Sequence, residues 1–176
     1  MKLMFEKSEK KSKIKRYTVY AVLTIVLSAF DIVLLDFLSI GGMTPDLLLI
    51  LCAWITLSEG QFEGLFAAFI IGLFYDIVSL DVIGTSALAK TLVALIAGWF
   101  YGENKINRNI GSYRFLIIIF ICSLFHNLLY FFLYIKFSEI VLMPFFFKYG
   151  IAKTFYTTVF AIFPMLARIP KNRLIS

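Results

Sequence analysis

The sequence predicts an all-α integral membrane protein, a compact bundle of six transmembrane helices, and three observations predict it. Apolar residues (AVILMFWYC) make up 61% of the 176 residues, whereas a soluble domain holds ~45–50%. Charged residues are only 16%, against ~25% in soluble domains. The apolar residues also gather into six stretches near the ~20 residues that cross a bilayer.

The first stretch runs over Tyr17–Leu38 and the second over Ile40–Leu57, with Pro45 near its start. The third covers Phe62–Ser79 and the fourth Gly84–Tyr101. Arg114–Phe137 is the fifth and the most aromatic, and Phe145–Ala167 is the sixth. The second is the weakest as a helix, because a proline ends or starts helices. Its helical part from Pro45 to Leu57 rises only ~20 Å, less than the ~30 Å hydrocarbon core. It is therefore expected to enter through a broken or extended segment at Gly41–Thr44, packed inside the bundle. The turns are short and no repeat or low-complexity segment interrupts them. Residues 1–16 read as a basic tail, 17–169 as the membrane domain and 170–176 as a second tail.

Charge sets the orientation. Formal net charge is +6, and +5 of it lies in residues 1–16, where seven bases face Glu6 and Glu9. A basic tail directly before an apolar run is a topology signal and a contact for anionic lipid headgroups, a simpler reading than nucleic-acid binding. The following run is too long for a signal-peptide core and contains Asp31 and Asp36. With that tail inside, thirteen of the seventeen Lys and Arg fall on inner segments. Both termini are then expected in the cytoplasm.

Ionisable groups at bilayer depth are costly and usually face a partner or a cavity. On this topology Asp31, Asp36, Asp46, Asp76, Lys90, Lys148 and Lys153 fall toward the outer face, with His126 and Asn127 near the middle of the fifth span. Asp76 and Lys90 flank one short turn at matching depth, which suggests an ion pair. Two readings stay open: structural pairing, or an outward-open polar cavity offered by Asp31, Asp76, Lys90, Asn127 and Lys153. A proton path is a third. His126 alone reads as a hydrogen-bonded packing residue.

No catalytic, cofactor or metal site is expected. The chain has one His and two Cys, too few for a multi-His metal site or a disulfide framework. It lacks the nucleophile-elbow and zinc-protease motifs. Cys52 and Cys122 read as small mid-span fillers. Gly64 and Gly72, eight apart, instead suggest a small-residue face where another helix comes close. Ala at either position is expected to be tolerated or mildly harmful.

One stretch is more specific. Pro45-Asp46-Leu47-Leu48-Leu49, the glycine-rich third span, Gly72-Leu73-Phe74-Tyr75-Asp76-Ile77 and Gly84 eight residues after that Asp resemble the rod shape-determining protein MreD family of bacteria. The diagnostic residues lie within 45–98, while length, span layout and basic N-terminus agree over nearly the whole chain. The resemblance implies a non-enzymatic subunit of the cell-elongation complex in the bacterial cytoplasmic membrane. It would support cell shape and lateral peptidoglycan synthesis through MreC. MreB, a RodA-type polymerase and a class B penicillin-binding transpeptidase would be the further partners. It also implies a fold similar to the substrate-binding subunits of energy-coupling-factor transporters. Capture of a small, vitamin-type solute is accordingly the alternative function.

Overall fold

Continuous apolar sequence with few helix breakers folds as helix throughout the computed structural model, which describes residues 2–34, 44–80, 82–135 and 149–167. In chain order the elements are α1 (Lys2–Leu34), α2 (Leu47–Glu59), α3 (Gln61–Ser79), α4 (Thr85–Gly98), a 3₁₀ turn (Glu103–Lys105), α5 (Ile106–Ile110), α6 (Tyr113–Ile135), α7 (Ile151–Phe160) and α8 (Ile162–Ala167). No strand occurs among the described residues. Within α1, α3 and α6 lie three segments long and apolar enough to cross a membrane, Lys13–Val33, Gln61–Ser79 and Tyr113–Leu133. Three shorter apolar helical stretches, Leu47–Glu59, Thr85–Gly98 and Ile151–Ala167, accompany them. The basic tail does not precede the first helix as a separate segment, because α1 begins at Lys2. Asp36, the Gly41–Met43 entry, Lys148 and the last tail lie outside the described residues.

The short α2 is the core of the bundle. Its first nine residues are all apolar, and Leu48, Leu49, Cys52, Ala53, Ile55 and Leu57 are all at or below 1% exposure. Asp46 starts it: the backbone leaves the extended region there, and the carboxylate Oδ1 accepts the Leu49 N–H at 2.7 Å, a side-chain N-cap. Gly60 ends it with φ +121°, a conformation that suits glycine, and connects directly into α3. Trp54 of α2 meets Phe115 of α6 edge to face, with ring centroids 5.7 Å apart.

The bundle is apolar on its outer surface as well as in its core. Large apolar side chains such as Phe62, Phe66 and Ile70 on α3 point outward, while the face of α3 turned inward carries the small residues Gly64, Ala68 and Gly72 beside Ile71. Lipid tails are as apolar as leucine, so close packing and hydrogen bonds hold such helices together. Gly64 faces Thr56 of α2, and Gly72 faces the backbone of Ser86 and Ala87 on α4. The glycine face therefore looks into the bundle, toward two different helices. The expected tolerance to Ala does not follow from this geometry. An added Cβ at Gly72 would stand 2.6 Å from the Ser86 carbonyl oxygen and 2.7 Å from the Ala87 nitrogen, and backbone cannot swing aside as a side chain can.

At the far end, Ala161 separates α7 from α8. Pro164, three residues into α8, has no N–H to give the Phe160 carbonyl, so the helix breaks there.

Candidate functional site: a polar hub inside an apolar bundle

Six of the helices bring a polar group to one place. Asp31 comes from α1, Asp46 from the start of α2, Tyr75 from α3, Lys90 from α4, His126 and Tyr130 from α6, and Lys153 from α7; all of them line one cavity of about 60 Å³. Asp46 is the centre. Its Oδ2 lies 3.4 Å from Lys90 Nζ and 3.5 Å from His126 Nε2, while its backbone N–H donates to Thr157 Oγ1 at 3.1 Å. The Lys90 ammonium also stands 4.9 Å from the Tyr75 ring centroid, within cation–π range. His126 stacks on Tyr130 with centroids 6.1 Å apart. It is 3% exposed, and no described residue gives either ring nitrogen a well-formed hydrogen bond.

Physical logic accounts for this concentration. A lone lysine or aspartate in hydrocarbon is unfavourable by several kcal/mol, and Lys90 is only 2% exposed. Asp46 compensates it directly, and the positive N-terminal end of α2 adds to the field that keeps a carboxylate there. The hub thus joins helices from both ends of the sequence through mutually compensating charges.

Asp76 and Asn127 do not line the cavity, and the expected Asp76–Lys90 pair does not form. Asp76 is fully buried and serves the backbone instead. Its carboxylate accepts the N–H groups of Gly84 at 2.8 Å, Ser86 at 3.0 Å and Ala87 at 3.3 Å. Those are orphan donors at the start of α4, reached because Leu80 turns the chain in the left-handed region and Gly84 follows with φ +100°. The eight-residue spacing from Asp76 to Gly84 spans the last turn of α3 and the loop that leads from Leu80 to Gly84. Substituting Asp76→Asn should cost about 2 kcal/mol, since the amide keeps one acceptor but turns an NH₂ toward backbone donors. An unfolding titration in mixed micelles measures it, and a wild-type midpoint would contradict the capping role.

Asn127 makes a separate cluster. Its Nδ2 lies within hydrogen-bonding distance of Ser123 Oγ, the Gly150 carbonyl and Thr154 Oγ1, the last at 3.0 Å, and so fastens α6 to α7. Pro45 is buried next to Asp46, at the rim of the hub. Sequence reasoning placed Asp31, Lys90 and Lys153 in the cavity. It set Asp46 apart as a motif residue and His126 as packing, and it overlooked Tyr75 and Tyr130. Two tyrosines one helical turn or less from a charged residue at the same depth, Tyr75 beside Asp76 and Tyr130 four after His126, were the signal available.

No group of three or more His, Cys, Asp or Glu able to hold a metal occurs among the described residues. Cys52 and Cys122 are buried, the latter with its thiol 3.7 Å from the Val93 carbonyl. The fold and hub define a helical membrane protein whose buried charges join helices. The family model for the rod shape-determining protein MreD matches residues 12–169, and the chain belongs to that family. No curated protein and no solved structure matches it.

Proposed function

We propose that this protein is a non-enzymatic subunit of the bacterial elongation complex, a six-span protein of the cytoplasmic membrane with both termini inside. Its task is to hold MreC in the membrane next to MreB, the RodA-type polymerase and the class B transpeptidase, and so to support lateral peptidoglycan synthesis and cell shape. The family match over residues 12–169 carries this reading. The hub supports it, because its central charges compensate one another and leave few polar groups to hold a substrate.

Solute capture is the reading the cavity argues against. Small-molecule pockets measure ~300–1,000 Å³, and the hub cavity is about 60 Å³. A vitamin-sized molecule would have to displace the Asp46–Lys90 pair to enter. Purification from native membranes in mild detergent, followed by mass-spectrometric identification, decides between the two. MreC is expected to co-purify at near-equal amount. Recovery of transporter ATPase components without MreC would overturn the proposal.

A further inference from the structure

Three side chains of the hub are left unmatched by direct contacts. Lys90 pairs with Asp46 at 3.4 Å. Asp31 on α1 and Lys153 on α7 line the same cavity, yet neither has an ion partner within 4.0 Å among the described residues. Both are partly buried, where an uncompensated charge is unfavourable. His126 is the third. Its ring lines the cavity at 3% exposure, and neither ring nitrogen has a well-formed hydrogen bond to a described residue. Asp46 Oδ2 stands 3.5 Å from Nε2, beyond the ~3.2 Å usual for such a bond.

Buried polar groups in folded proteins are satisfied by the protein, by water or by an ion. Size and charge choose among these. A water takes up ~30 Å³ in the liquid, so a cavity of about 60 Å³ holds about two. Across it two carboxylates, Asp31 and Asp46, face two ammonium groups, Lys90 and Lys153. An added ion of either sign would unbalance that set. Water is neutral, accepts from an ammonium, donates to a carboxylate and can do either for an imidazole.

We infer that about two ordered waters occupy the hub and bridge Asp31, His126 and Lys153, forming a solvent-separated ion pair that joins α1, α6 and α7. Such bridges are nearly as favourable in enthalpy as direct hydrogen bonds. The joint matters most to α1, because only 11% of its membrane segment is buried, against 28% and 33% for those of α3 and α6. The water stops at the hub. One helical turn from Asp46, Lys90 and His126 stand Leu49, Val93 and Cys122, all at or below 1% exposure. The hub is thus a hydrated chamber and not a proton path through the bundle. This holds whether or not MreC is the partner.

The composition supplies clean probes, since the chain has one His and two Cys. The full chain in lipid bilayers is labelled with nitrogen-15 in the histidine ring and the cysteine amides only. Cys52 and Cys122 are both 0% exposed and serve as the dry reference. Water-edited magic-angle-spinning NMR reads how fast water magnetisation reaches each label. The His126 ring should receive it several-fold faster than either cysteine amide. Asp31→Leu combined with Lys153→Met removes one charge of each sign and both ends of the bridge. It should bring the ring down to the cysteine rate, with unchanged cysteine shifts reporting a retained fold. Equal rates for the ring and the amides in the unsubstituted protein, a comparison that needs no variant to fold, would overturn the inference. So would a fast ring rate that persists in the double variant.

Discussion

Gly72→Ala is expected to destabilise the protein by about 3 kcal/mol, the upper end of overpacking costs, although glycine-to-alanine usually favours a helix by ~1 kcal/mol. The sign reverses because the methyl group meets main chain. Its nearest neighbours are the Ala87 Cα, the Ser86 carbonyl oxygen and the Ala87 nitrogen, and Ala87 N–H is one of the donors that Asp76 holds. Moving α4 aside to admit a methyl therefore disturbs the Asp76 cap as well. Gly72→Leu should aggregate instead of yielding a monodisperse protein that has lost a partner, because the face is internal. Leu88→Ala on the exposed side of α4 (52% exposed) serves as the control and should stay within ~0.5 kcal/mol. Unfolding titrations in mixed micelles compare the three. A Gly72→Ala midpoint equal to that of Leu88→Ala would mean that α3 and α4 do not approach this closely.

The second large effect belongs to the hub. Lys90→Met should cost roughly 3–5 kcal/mol, because Asp46 is left as an uncompensated carboxylate in a water-poor interior. Asp46→Asn should cost a similar amount by stranding Lys90. Asparagine still caps helices well, so this change removes the charge while preserving the start of α2. The double variant should recover most of the loss, a coupling of at least ~3 kcal/mol, the upper end for contacting residues. Strict additivity would show that the two groups do not interact. An Asp76→Asn/Lys90→Met cycle is the natural comparison and should be close to additive, since Asp76 bonds to backbone.

These two results mark where the sequence was legible. Apolar length located the three segments long enough to cross a membrane and the three shorter apolar stretches, and Pro45 lay within two residues of the observed start of α2 at Leu47. Depth was legible too: Asp31, Lys90 and Lys153 do meet. The pairing was not, because residue count along a helix sets depth but leaves open which neighbour a side chain faces. Asp46 and Asp76 were both near enough to Lys90. Asp76 was already engaged by three N–H donors of the nearby α4 start, a competition that becomes visible only when the loop from Leu80 to Gly84 is seen to fold back on it. The response at Gly72 was hidden for a related reason. A glycine signals close approach, but whether a movable side chain or fixed main chain lies opposite is a tertiary fact.

The short helices have a consequence for biogenesis. Asp46, Lys90 and Lys153 belong to the three shorter stretches, whereas the longer membrane segments carry Asp31, Tyr75 and His126. A long apolar helix can partition into the bilayer alone, but a short one bearing a charge is poorly retained until its counter-charge arrives. Insertion should therefore be ordered, with α1, α3 and α6 entering first and the shorter helices settling against them. Any nascent chain stalled before α7 would still lack Lys153 at the hub and the Thr157 and Thr154 contacts. Such a chain presents exposed charge within the membrane, the kind of defect on which a membrane protease can discriminate. The hub is therefore completed only when α7 brings Lys153 to it.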